Sequence, residues 1–378
     1  MTASLRKAAG SLLVVGLGGT ELTSLERSWL KLVRPAGIIL FRRNIADVRQ
    51  TRALLNEATA LGTEHGLRCV DVEGGTVDRL RDALAPMPSA QAVARAASPM
   101  SQKTDMGHPS PFAREHGKLV GQEVRAFGFN TTLAPVLDLA LPDSAEVIGT
   151  RAAAANAQGV VEYARVFLSG LAAQGVAGCG KHFPGLGAGS RDSHLETPAI
   201  QRNGRELWRE DLAPYRELRS ELPMVMINHA AYPETPSKAR PASVSSYWIT
   251  KMLRERIGYK GIAFSDDLEM GGILKFMAMD EAVIASVRAG MDLMEICHSP
   301  ELILRAYEAL IAEGERSGVF AKLLKARAER VARLRARLFA RDVPKALSAK
   351  QFEALRTQVI RFGEMIARSQ PAAEVQTA

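Results

Sequence analysis

The sequence predicts an α/β fold: a single (β/α)8 TIM barrel with an additional C-terminal helix. Three observations carry this prediction. Short β-rich apolar runs, eight in all, alternate with longer stretches whose apolar positions recur every three or four residues. Such alternation implies a parallel sheet covered by helices. Polar, chemically capable residues follow the ends of many runs, as a barrel requires, whereas an open sheet gathers them at one switch point. In addition, Gly16-Leu17-Gly18-Gly19 after the first run lacks the GxGxxG spacing of a dinucleotide site.

The strands are expected in this order. Leu12–Val15 comes first, in an apolar stretch too short, and too poor in small-x-small cleavage signals, for a signal peptide. Gly37–Phe41 follows, then, after a helix over Val48–Leu61, Leu67–Asp71. Met87 to Glu115, rich in Ala, Ser, Pro and Met, reads as a long loop plus helix before the fourth strand, Thr132–Asp138. A helix over Ala155–Ala173 leads to Gly175–Cys179, which Lys181 and His182 follow. Met224–Asn228 precedes His229, and a helix over Trp248–Ile257 leads to Gly261–Ser265, which Asp266 and Asp267 follow. A helix over Asp280–Ala289 precedes the last strand, Gly290–Ile296, with His298 beyond it. The barrel is assigned to residues 1–341 and a helical tail to 342–378, with a helix over Ser348–Arg368 and a disordered end from Gln370.

Composition narrows the function. With 378 residues, 47% of them hydrophobic and 24% charged, the chain is an ordinary globular one and excludes a disordered, collagen-like or coiled-coil protein. The net charge of +8 is concentrated, because Ala321 to Arg341 holds eight basic residues and one acid, a net +7. Leu323, Leu324, Val331, Leu334 and Leu338 recur there at helical spacing, so the basic residues read as the solvated face of a late helix. The competing reading is a contact with an anionic polymer or a membrane surface. No apolar run approaches the roughly 20 residues that cross a bilayer. Neither nucleic acid nor membrane is expected as a partner, and the chain is expected to act as a monomer. Three dispersed cysteines form no disulfide framework or CxxC pattern, which points to a reducing, cytoplasmic compartment. Seven dispersed histidines and the absence of HExxH argue for no metal and no cofactor.

Three constellations carry chemistry. Asp71-Val72-Glu73-Gly74-Gly75-Thr76-Val77-Asp78-Arg79 closes the third strand, with a Gly-Gly pair that lets the backbone turn and with carboxylates and an arginine suited to hydroxyl groups. A strand-end turn with a structural ion pair would read the same way. Lys181-His182-Phe183-Pro184-Gly185 and the residues to His194 form the second, with three glycines that suggest a mobile loop. Asp192 and His194 stand two apart, and a carboxylate beside an imidazole makes it a candidate acid and base near neutral pH. Phe264-Ser265-Asp266-Asp267-Leu268-Glu269-Met270 is the third; pleating would turn only one of the adjacent acids into a pocket, as nucleophile or base, and leave the other as a helix cap.

These stretches, in this order, resemble glycoside hydrolase family 3, specifically its single-domain β-N-acetylglucosaminidases, the NagZ-type β-hexosaminidases. Gly37-Ile38-Ile39-Leu40-Phe41, Leu133 to Asp138, Val147-Ile148-Gly149-Thr150-Arg151 and Arg240-Pro241-Ala242-Ser243 extend the resemblance over roughly residues 10 to 340. It implies Asp266 as the nucleophile of a covalent glycosyl-enzyme and His194, assisted by Asp192, as the acid/base. It also implies that Asp71, Arg79, Arg151, Lys181 and His182 bind the sugar, and that the substrate is a β-linked N-acetylglucosamine glycoside, a peptidoglycan-derived muropeptide of cell-wall recycling. Two positions depart from the family pattern: Leu186 replaces the second histidine of KHFPGHG, and Thr76 replaces a commonly basic residue. The first thins the loop's polarity and the second bears on the leaving group. The alternatives are phosphorolysis, another β-glycosidase of the family, and a non-catalytic muropeptide-binding barrel.

Overall fold

The computed structural model describes residues 2–96, 111–188, 197–339 and 346–370. Ten strands follow one another: β1 (Leu13–Val15), β2 (Gly37–Leu40), β3 (Leu67–Val70), β4 (Val72–Gly74), β5 (Val77–Asp78), β6 (Thr131–Thr132), β7 (Ala177–Phe183), β8 (Met224–Ile227), β9 (Ile262–Asp267) and β10 (Leu293–Ile296). Eight close a parallel barrel in the order β1-β2-β3-β6-β7-β8-β9-β10 and back to β1, while β4 and β5 form a separate hairpin. Closure is made by Leu13, Val14 and Val15 against Met294, Glu295 and Ile296. Strands buried on both faces need continuous apolar runs, and Gly37–Leu40 and Met224–Ile227 supply them, every residue buried. The predicted barrel is the observed one.

Several elements differ from their expected bounds. The fourth barrel strand is two residues long, because Pro135 has no N–H to continue the ladder. Beyond it the Ala134 and Pro135 carbonyls still accept the Cys179 and Lys181 N–H groups, at 2.8 and 3.1 Å, and Val136 bridges to Lys181. The fifth barrel strand runs on to Phe183, so Lys181 and His182 lie within β7 rather than after it. Likewise β9 includes Asp266 and Asp267. The helices around the barrel include Val48–Ala60, Ala157–Ala173, Tyr247–Arg256 and Met279–Ala289.

The basic helix corrects in part the expectation of a solvated face. It spans Gly318–Leu338, and Phe320, Leu324 and Val331 bury its apolar side. Arg327 and Arg330 reach Asp292, at 3.6 and 3.2 Å, and Arg254 joins them on the same carboxylate. Arg330 also donates to the Lys260 and Gly261 carbonyls, and the buried Arg335 donates to Ala36 O at 2.8 Å and to Thr63. Three of the cluster's eight basic residues therefore work internally, capping carbonyls and an acid at the entrances of β2, β9 and β10, while Lys322, Arg333 and Arg337 keep the exposed face that was expected.

After Gly318–Leu338 the chain adds a helix over Ala349–Arg368, opened by a Ser348 and Gln351 capping box. Leu355, Val359, Phe362 and Ile366 bury its inner face. Phe362 lies 5.9 Å from the ring of His116, on the helix Pro111–Ala126, and Phe352 lies 5.8 Å from that of Phe127, just past its end. The end expected to be disordered lies, from 371 onward, outside the described residues.

Asp292 is fully buried and compensates three guanidiniums. Removing one member of such a set leaves uncompensated buried charge, which costs roughly 3–5 kcal/mol. Asp292→Ala is therefore expected to lower unfolding stability by about that much in a urea titration, and Arg327→Ala, whose partner keeps two other cations, by distinctly less.

Candidate active site

A cavity of about 520 Å³ opens at the carboxyl ends of the barrel strands. Asp71, Arg79, Arg151, Lys181, His182 and Asp266, six of the eight residues proposed from the sequence, all line it. Asp192 and His194 fall within 189–196 and lie outside the described residues.

The cavity is built around an acid that sequence reasoning had not singled out as a site residue. Glu73, on β4, receives Arg151 in a bidentate pair, Nε at 2.8 Å and Nη2 at 2.9 Å. Its Oε1 lies 2.6 Å from Lys181 Nζ, and the same ammonium donates to Asp71 Oδ1 at 2.7 Å. The hairpin that delivers Glu73 needs Gly74 and Gly75, both in the left-handed region. A Cβ on Gly74 would sit 2.1 Å from Pro88 O, so only glycine fits. Thr76 lies exposed at the tip of this turn. Arg79 Nε stands 4.0 Å from Asp71 Oδ2, and its guanidinium lies 5.8 Å from the Phe41 ring centroid. Phe41 in turn stacks on His298 at 5.5 Å.

His182 is fixed from the next strand. Asp138 Oδ2 accepts its Nδ1–H at 2.6 Å and its backbone N–H at 3.2 Å, while Nε2 faces Arg151 Nη2 at 3.3 Å. The other oxygen of Asp138 accepts the Leu186 N–H at 2.7 Å. The grip on residue 186 is thus a backbone one, which leucine satisfies. Gly185 and Gly187, expected as hinges of a mobile loop, serve close packing: added Cβ atoms would lie 2.7 Å from Asp211 and 2.6 Å from Leu139 O.

Both adjacent acids of β9 line the cavity, contrary to the alternation expected from pleating. The register of β9 against β10 shifts between Leu293 and Glu295, which brings Asp267 level with the same opening. Asp266 Oδ1 accepts the Asp267 N–H at 2.9 Å, and among the described residues no hydrogen bond engages Oδ2. Burial opposes its ionisation, but the imidazoles of His182 and His229, the Asp267 N–H and the Lys181 ammonium outweigh burial and hold its carboxyl below the usual range. Asp267 is pushed the other way, up to about 7, by burial together with the charges of Glu269 and Asp266. Its Oδ1 accepts the Glu269 N–H at 3.0 Å, closing a turn rather than capping a long helix. His229 donates from Nε2 to Asp267 O at 2.9 Å and meets Ser243 Oγ through Nδ1 at 2.7 Å, which gives the Arg240-Pro241-Ala242-Ser243 stretch its place behind the site.

Among the described residues, Asp267, Glu269 and His298 bring donor atoms within 4.8 Å of one another. The Glu269 carboxylate, however, already accepts the N–H groups of Cys297, His298 and Ser299 and so anchors that loop. Glu295 and Cys297 also line the cavity and were passed over in the sequence, although a lone acid inside the apolar run Leu293-Met294-Glu295-Ile296 was a readable signal.

Ion pairs able to hold hydroxyl groups, set around an ionised carboxylate at the mouth of a parallel barrel, are an arrangement suited to a carbohydrate-acting enzyme. The comparisons agree on the family. Residues 4–334 match the glycosyl hydrolase family 3 N-terminal domain, and the chain belongs to that family of glycoside hydrolases. It is 38% identical over 299 residues to the β-hexosaminidase of Thioalkalivibrio sulfidiphilus, across 79% of this chain and 83% of that one. The crystal structure of NagZ from Neisseria gonorrhoeae in complex with N-trifluoroacetyl-D-glucosamine matches at 30% identity and a TM-score of 0.74, covering 96% of this chain and 98% of that chain. A family 3 β-N-acetylglucosaminidase from a Paenibacillus species matches at 29% identity and a TM-score of 0.83, over 95% and 68%.

Burial opposes ionisation of Glu73, yet Arg151 and Lys181 prevail and hold its carboxyl well below the usual carboxylate range. A depressed folded value means that its stabilisation is complete above the unfolded value of about 4.3 and is lost as pH falls toward the folded one. Glu73→Gln is expected to lower stability by roughly 3 kcal/mol at pH 7 and to flatten the acid limb below about pH 4 in denaturant titrations at stepped pH.

Proposed function

We propose that the chain is a retaining exo-β-N-acetylglucosaminidase that works through a glycosyl-aspartate intermediate on Asp266. The observation that carries the reading is that Asp266, in the cavity at the barrel mouth, is favoured in its ionised form and keeps Oδ2 unengaged among the described residues, beside the Asp71, Lys181, Glu73 and Arg151 lattice. In the first step Oδ2 attacks C1 of the sugar, the bond from C1 to the leaving oxygen breaks, and protonated His194 gives that oxygen its proton. In the second, His194 takes a proton from water, the water oxygen bonds to C1, and Asp266 departs as carboxylate. Asp192 would hold the imidazole for both transfers, which departs from the usual carboxylate pair of retaining glycosidases. Asp71, Arg79, Arg151, Lys181 and His182 would bind the hydroxyl and N-acetyl groups, since charged partners make strong directional hydrogen bonds.

The names of the relatives support the N-acetylglucosamine part: β-hexosaminidase for the matches at 38 and 36% identity, and a NagZ bound to an N-acylated glucosamine. The natural substrate on this reading is a muropeptide released from peptidoglycan, and the reaction belongs to cell-wall recycling in the cytoplasm. Among the described residues no helix is long and apolar enough to cross a membrane.

Chromophore release from an aryl N-acetyl-β-glucosaminide and from the matching β-glucoside tests the reading. Turnover of the first alone is expected, with Asp266→Ala losing it by about 10³-fold or more. His194→Ala should lose most activity toward poor leaving groups and keep it toward activated aryl glycosides; equal loss on both would remove His194 as the acid. Sugar phosphate formed in phosphate buffer would replace hydrolysis by phosphorolysis, and binding without turnover by the folded wild type would sink the enzyme reading.

A further inference from the structure

Glu295 stands apart from the hydroxyl-binding lattice. It lines the cavity while only 4% exposed. Its Oε1 accepts the Cys297 S–H at 3.0 Å, and Oε2 is buried with no hydrogen-bond partner. The backbone is pinned on either side of the adjacent acids: the Glu295 N–H donates to Ser265 Oγ at 3.0 Å, and its carbonyl accepts the Leu268 N–H at 2.9 Å.

The groups that face it come from three neighbouring strands and its own. Asp266 and Asp267 lie on β9, Asp71 at the end of β3, the thiols of Cys69 and Cys179 on β3 and β7, and Cys297 just past β10. Among the described residues no cation pairs with Glu295, and Lys181 is committed to Asp71 and Glu73. Burial first, then the charges of Asp267, Asp71 and Asp266, push its carboxyl well above the usual range. Ionised, it would be an unpaired buried charge competing for Lys181.

We propose that Glu295 is a positioning residue for Asp266: held as the uncharged acid, it fills the wall next to β9 with a hydrogen-bonding group and adds no second free negative charge beside the carboxylate that attacks. The inference rests on Asp266 being the nucleophile. Loss of the Glu295 proton switches the site off by setting a second unpaired negative charge against Asp266 and Asp267.

The test compares wild type with Glu295→Gln, which keeps shape and neutrality, using an activated aryl N-acetyl-β-glucosaminide whose departure needs no acid from His194. The variant is expected to keep kcat within about threefold at pH 6 and to move the alkaline fall of kcat/KM upward by about one pH unit or more. Difference infrared spectroscopy, wild type minus variant at neutral pH, should show one additional carbonyl stretch of a protonated carboxylic acid in the wild type, beyond the shared contribution of Asp267. A missing band, or an alkaline limb that coincides in the two proteins, overturns the proposal. An Asp266→Ala protein that still turned over would instead remove the nucleophile reading, with the infrared result on Glu295 still standing.

Discussion

The constraint on which the barrel mouth depends is the sharing of two cations among three carboxylate oxygens in a buried space. Lys181 bridges Asp71 and Glu73, and Arg151 holds Glu73 by both of its oxygens. Such a lattice adds little net stability, because desolvating each ion costs about what the pairing returns. Its value is positional. Each donor and acceptor is fixed by a partner on another element, so under the proposed function a sugar hydroxyl would meet groups that need no reorganisation on binding. The same sharing explains why Asp138 holds both the ring of His182 and the backbone of Leu186: one rigid acid sets two neighbouring elements at once.

Charge is used differently at the two ends of the barrel. At the carboxyl ends of the strands acids and cations are nearly balanced, six acids against five Lys and Arg side chains around the cavity. At the opposite end the balance is positive, with Arg254, Arg327 and Arg330 around Asp292 and Arg335 over the carbonyl of Ala36. Burial brings Arg335 down to about 10, and among the described residues no acid pairs with it; the Ala36 carbonyl and the Thr63 hydroxyl accept its protons instead. This division matches a barrel whose chemistry is confined to one face and whose other face serves stability.

The alternation of runs made the barrel legible, and the polar residues after the runs made its working face legible. What could not be read was set by distance or by backbone detail. Glu73 and Arg151 are 78 positions apart and Asp71 and Lys181 are 110, so their pairing exists only after closure. The shortness of β6 follows from Pro135, a readable signal weighed too lightly against the apolar run around it. The extension of β7 was hidden because Gly178 and Gly180 break its apolar pattern; both are glycine for packing, since an added Cβ would meet Leu168 or Leu137 at 2.7 Å. The basic helix misled for a related reason: a guanidinium on a long stem reaches buried carbonyls that a count of charges per turn does not reveal.

Asp266 and Asp267 show how far residue type underdetermines role. They are chemically identical, adjacent and share one strand end, yet their environments separate them: Asp266 faces two imidazoles and the Lys181 ammonium, whereas Asp267 is buried against the charges of Glu269 and Asp266. One is held ionised and the other is drawn toward neutrality, and this splitting, which elsewhere separates acid from base, here leaves a single charged carboxylate next to the hydroxyl-binding lattice. The register shift between β9 and β10 is what admits both to the cavity. With regular pleating Asp267 would face away, and the field that separates the pair would lose one of its members. The proposed choice of nucleophile is thus made by strand register and by the partners of neighbouring strands, two properties that belong to the closed barrel and to no local segment of the chain.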